Sequence, residues 1–175
     1  MIISVKEAKD LIAGLADWTD EKIERKLKAI EQTIRSYTNN NFQDRDYRRT
    51  ADIVGGSLYV EALTPFDVDD TVMITETKLN KGLFTVLSVE DSSFTVAEDV
   101  KDEKDVLVTK VVYPADVVDC CLNLLEWEKD NRKKVGIKSE TLSRHSVTYE
   151  DSASMFMGYP IGILNAVQLY KKVRF

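Results

Sequence analysis

The residues able to do chemistry are few, and their spacing argues against most reactions. His145 is the only histidine. A zinc site built from several histidines is therefore impossible, and a Ser–His or Cys–His pair would need this one imidazole. Ser146 follows it directly, but sequence neighbours do not point at each other usefully, so His145 reads as a surface residue. Cys120 and Cys121 are adjacent and are the only cysteines. Neighbouring thiols form neither an ordinary disulfide nor a good metal site, so both read as reduced helix residues. Asp67-Val68-Asp69-Asp70 has the acid density of a calcium loop. The strand-like Thr71-Val72-Met73-Ile74 follows it where a glycine and a bidentate glutamate would be required, so it reads as a turn. Gly55-Gly56 lacks the lysine and spacing of a phosphate loop. Neither an enzyme nor a cofactor or metal site is expected.

Arg45, Arg48 and Arg49 lie close to Phe42 and Tyr47, a combination that could stack bases and hold phosphates. Against this, the chain carries a net charge of −6, opposite to the usual nucleic-acid footprint. Nucleic-acid binding through these arginines is therefore the alternative reading. The charge is also segregated. Residues 52–113 hold 13 acids and 5 bases, whereas residues 129–175 hold 4 acids and 9 bases. Solvated faces explain such a pattern, and so does head-to-tail self-association, where opposite patches steer assembly.

The elements that must position these residues change type twice along the 175-residue chain. Ser4 and Glu7 form a capping box that opens a helix to about Leu15. Thr19 caps a second helix, in which Ile23, Leu27, Ile30, Ile34 and Tyr37 make an apolar stripe ended by Asn39-Asn40-Asn41. From Tyr47 to Tyr113 the pattern predicts five short strands, at residues 57–62, 71–75, 84–89, 93–96 and 106–112, separated by glycine, proline, asparagine and aspartate turns. Pro114 opens a third helix with Val117, Val118, Cys121, Leu124 and Leu125 on one face. Lys129, Arg132, Lys133 and Lys134 complement its C-terminal dipole, and Gly136 is a stop. Residues 137–157 have no strong period and read as extended, ordering either on assembly or as a hairpin on the helices. Tyr159-Pro160 opens a last helix packed through Ile161, Leu164, Val167 and Leu169 or Tyr170.

The expected fold is α+β: a helical core of about four helices, residues 1–51 and 114–175, carrying an inserted small antiparallel β-barrel or sheet at residues 52–113. No apolar run approaches the roughly 18 residues of a membrane span, and Met1–Glu7 lacks a signal-peptide stretch. The expected compartment is a cytoplasm.

Trp18-Thr19-Asp20, Tyr37 to Phe42 and Tyr113-Pro114-Ala115-Asp116-Val117 carry a resemblance. So do Gly136-Ile137-Lys138-Ser139-Glu140, Ser146-Val147-Thr148-Tyr149, and the stretch from Tyr159-Pro160 to Leu169-Tyr170-Lys171-Lys172. Together they resemble the head–tail connector (adaptor) proteins of tailed phages and related prophages of Gram-positive bacteria. Asp69-Asp70-Thr71-Val72-Met73-Ile74 and Asn80-Lys81-Gly82-Leu83-Phe84-Thr85-Val86 look like a small barrel module found in several such proteins. The resemblance implies a structural subunit of a ring, commonly of about a dozen copies, below the portal protein. That ring extends the DNA channel and docks the tail-side head-completion protein. DNA would pass without specific binding, no membrane would take part, and the protein would move from the host cytoplasm to the virion neck. Ring and portal contacts are expected in the basic C-terminal part, at Arg132, Lys133, Lys134, Ile137, Tyr149, Tyr159, Tyr170, Lys171, Lys172, Arg174 and Phe175.

Overall fold

The structure, a computed structural model, describes residues 1–131, 139–142, 145–148 and 154–173. The chain divides into two compact units: Met1–Asn40 with Tyr113–Phe175, and Asn41–Val112.

In the first unit, α1 (Val5–Leu11) starts where the Ser4 hydroxyl accepts the Glu7 N–H at 3.1 Å. The helix stops at Ile12, short of the expected Leu15, although Leu15 is buried. The Thr19 hydroxyl caps α2 (Asp20–Thr38), and its 4-3-4 stripe Ile23, Leu27, Ile30 and Ile34 is fully buried. α3 (Ala115–Asn131) packs on α2 with Val117, Cys121, Leu124 and Leu125 inward. Polar groups tie the two helices as well. The Tyr113 hydroxyl donates to the buried Glu31 carboxylate, and Lys26 pairs with Glu128. Beyond α3 come two antiparallel strand pairs. β7 (Ser139–Leu142) joins β8 (His145–Thr148), and β9 (Met155–Phe156) joins β10 (Tyr159–Pro160). A single helical turn, α4 (Ile161–Leu164), runs into a 3-10 segment, Asn165–Tyr170.

The second unit is a closed antiparallel barrel ordered β1-β2-β5-β4-β3-β6. Its strands are β1 (Gln43–Val54), β2 (Ser57–Val60), β3 (Thr71–Thr75), β4 (Gly82–Val89), β5 (Ser93–Val96) and β6 (Glu103–Val111). Alternating residues such as Ile53, Leu58, Val72, Val86, Phe94 and Val108 fill its interior. Gly55 and Gly56 make the two-residue turn between β1 and β2, with φ of 58° and 85°. Positive φ at both central residues matches the twist of a tight hairpin, and only glycine adopts it without cost. The pair is a hairpin device.

These findings correct the expected architecture. The core is not helical throughout, because its C-terminal part is two strand pairs, one helical turn and a 3-10 segment. The strands number six and close on themselves, so the module is a complete barrel. The inserted unit begins at Asn41, since β1 occupies residues assigned to the helical core. β1 has no local signal, because Gln43-Asp44-Arg45-Asp46-Tyr47-Arg48-Arg49-Thr50 carries no buried residue and so shows no apolar alternation.

One carboxylate organises the turn between β3 and β4. Glu103 accepts from the Thr77 hydroxyl, the Lys78 N–H at 2.7 Å, the Leu79 N–H at 3.2 Å and the Asn80 amide at 2.9 Å. The Lys78 backbone bond and the Thr77 bond hold the Glu103 carboxyl below its ordinary value of 4.5. A depressed folded-state value means stabilisation that is full above pH 4.5 and is lost as pH falls through the lowered value. Glu103→Gln should therefore lower the Tm near pH 7, and the gap from wild type should shrink in acid. Thermal melts across pH 2–7 check this; a gap that stays constant would assign the effect to shape and not to charge.

Candidate functional site

The expected contact residues fall into three groups. Arg132, Lys133, Lys134, Ile137, Tyr149, Arg174 and Phe175 lie outside the described residues. Tyr159 is corrected to a packing residue, being only 4% exposed, with its ring 5.8 Å from that of Trp127. Tyr170, Lys171 and Lys172 come together on one terminal strap.

That strap, residues 165–173, is tied to the C-terminal end of α2. The Lys172 N–H donates to the Thr38 carbonyl at 2.8 Å. The Asn39 amide donates to the Lys172 carbonyl and the Asn40 amide to the Tyr170 carbonyl, each at 3.2 Å. Tyr37 donates to Asn165 at 2.9 Å, and the Lys171 ammonium lies 3.7 Å from the centre of the Tyr37 ring. Tyr170 donates to Asp116 at 3.0 Å, and that hydrogen bond raises its pKa. Asn39 adopts left-handed φ of 48°, which ends α2 and turns its amide toward the strap. The asparagine run is a helix stop in the sequence; its second role, holding a strap more than 120 residues away, has no local signal.

Underneath the strap, Leu164 and Val167 are fully buried. On its outer side Leu169 is 92% exposed and Val173 75% exposed. The sequence reading has Leu169 or Tyr170 packing inward. The 3-10 geometry instead advances about 120° per residue, so the register of an α-helix is lost after Leu164.

The arginine cluster is rearranged relative to its expected use. Arg45, Asp46 and Tyr47 are extra residues between the pairs Asp44↔Lys110 and Arg48↔Thr109, and they bulge out of the barrel wall. Arg45 is exposed, but Asp44 and Asp46 flank it, and the Asp44 carboxylate accepts the Asp46 N–H at 3.1 Å. Arg48 donates to Thr109 at 3.1 Å, and Arg49 donates to the Arg48 carbonyl at 2.8 Å. Lys110, beside Tyr47, is bound to Asp70 at 2.6 Å. Phe42 is buried, which removes one of the two aromatic rings expected to stack bases.

The thiols are held away from reactivity. Burial pushes Cys120 up to about 11, with Asp119 adding to the shift, and burial followed by Glu31 pushes Cys121 higher still. Among the described residues there is no group of three or more acids, histidines or cysteines placed to hold a metal ion. No described helix is long and apolar enough to cross a membrane. No protein-family model matches the chain, and no curated protein matches it either. The terminal strap presents exposed apolar and basic groups side by side.

Proposed function

We propose that this chain is a structural, non-catalytic subunit of a ring at the head–tail junction of a tailed phage. In this reading it forms a ring of about a dozen copies below the portal, extends the DNA channel and docks the tail-side completion protein. The proposal takes its class from the connector resemblance in α2, α3 and the C-terminal part. The observation that carries it is the strap. A segment fixed at both ends by five hydrogen bonds, with Leu169 and Val173 turned outward, is suited to contact another protein surface. A ring subunit needs such surfaces and needs no tuned catalytic group.

The test is negative-stain imaging of the purified protein with and without portal rings from the same phage. Rings, free or on the portal, are the expected result; a monomer that ignores the portal at all concentrations would remove the proposal. A second reading, single-stranded nucleic-acid binding, draws on the exposed Arg45 and Tyr47 of the β1 bulge. A salt titration separates the two readings, because phosphate contacts give a steep loss of affinity with salt that Arg45→Ala would flatten.

A further inference from the structure

The barrel carries a surface that matches the strap in composition and opposes it in charge. The segment after β2 is laid along the turn between β4 and β5. The Val60 N–H donates to the Ser92 carbonyl and the Thr64 N–H to the Asp91 carbonyl, both at 2.9 Å, while Tyr59 pairs with Ser93. This end of the barrel therefore has a fixed backbone. It exposes Tyr59 (49%) and Leu63 (75%) among the exposed carboxylates of Glu61, Glu90 and Asp91. The strap shows the reverse: Leu169 and Val173 beside Lys171 and Lys172, all exposed. Residues 41–112 as a whole hold 15 acids and 8 bases, so the local carboxylates lie within an acidic field.

We infer that the strap of one copy docks on this end of the barrel of the next copy, placing Leu169 against Tyr59 and Leu63 and the lysines against Glu61, Glu90 and Asp91. The inference rests on the adaptor reading and names its self-contact. Two different patches meeting head to tail form a heterologous interface, which closes into a ring when the rotation permits. Both backbones are already ordered, so little conformational entropy is lost on contact. A nine-residue strap covers less than the roughly 800 Å² per partner of a standard interface, so an isolated contact is weak. Ring closure lets each subunit use both patches at once, and effective concentration then supplies the missing affinity. The charged rim makes association faster and salt-sensitive, and the apolar centre slows dissociation.

Sedimentation velocity of the full chain over a concentration series, at low and high salt, tests the docking. Wild type should self-associate, and more weakly at high salt. Leu169→Glu should weaken association by about tenfold or more, with an unchanged far-UV spectrum because the side chain lies in solvent. Lys172→Glu and Glu61→Lys/Glu90→Lys should each weaken it, and the chain carrying all three changes should recover. Self-association untouched by Leu169→Glu overturns the docking; if that variant also forms rings in negative stain, the adaptor reading stands without it. A wild type that stays monomeric and forms no ring on a portal removes both. Loss of portal binding with self-association intact assigns the strap to the portal and overturns the second-copy contact.

Discussion

Phe94→Ala should destabilise the barrel by about 4 kcal/mol, the middle of the range for removing a large core aromatic. Phe94 is 1% exposed and sits on β5 opposite Leu58 of β2 and Val89 of β4. Its ring meets Phe66 edge to face, with centroids 5.0 Å apart, so the substitution also loses an aromatic pair. The barrel is closed, and the flanking strands are fixed by hydrogen bonds on both sides. The walls cannot fold inward to fill the gap, and the cavity cost is kept. Urea unfolding followed by circular dichroism measures the loss. Leu87→Ala on the exposed side of β4 is the control and should stay within about 0.5 kcal/mol. A Phe94→Ala loss below about 1 kcal/mol would mean that the interior is not packed as described.

The Lys26–Glu128 pair should give the second large effect. Glu128 is almost wholly buried between α2 and α3, and Lys26 is a quarter exposed. Lys26→Met takes the cation away and leaves the carboxylate in the interior without it, an arrangement worth about 3 kcal/mol. Replacing both residues, as Lys26→Met/Glu128→Leu, should recover most of that loss, because two apolar side chains need no desolvated charge. The double-mutant cycle therefore has an asymmetric signature: one expensive single change and a mild double change. Additive losses in the cycle would show that the two side chains do not act as a pair.

What the residues made legible follows from whether the physics is local. The 4-3-4 stripe of α2 and the apolar face of α3 are periodic signals; α2 runs close to its expected bounds and α3 starts just after Pro114, while its expected stop at Gly136 lies outside the described residues. Strands β2 to β6 announce themselves by β-branched residues between turn residues. β1 does not, because its first eight residues are polar and unburied and its place is set by pairing with β2 and β6. The end of the chain misleads for a related reason. Leu164 and Val167 keep a helical spacing, but residues 165–170 take a tighter winding, and hydrogen bonds from Asn39 and Asn40 tie its end and the extended residues after it to α2. Those contacts join residues about 130 positions apart, which no window of sequence contains. The candidate site is legible only in part: Tyr170, Lys171 and Lys172 stand in the basic C-terminal stretch, but the spacing offers Leu169 or Tyr170 for packing, and nothing local marks Leu169 as exposed or Tyr159 as buried.

The closed barrel has a thermodynamic consequence for the unit that hosts it. Its first and last strands are neighbours, and Gln43 pairs with Val111, so the 72-residue insertion enters and leaves through adjacent points. Before the barrel forms, joining α2 to α3 means closing a loop of that full length. Afterwards the same connection behaves as a tether of a few residues. At about 0.6 kcal/mol for each doubling of loop length, the difference is about 2.5 kcal/mol. The barrel is in this sense a non-covalent cross-link for the helices, and any change that melts it should loosen the α2–α3 pair without touching a residue there.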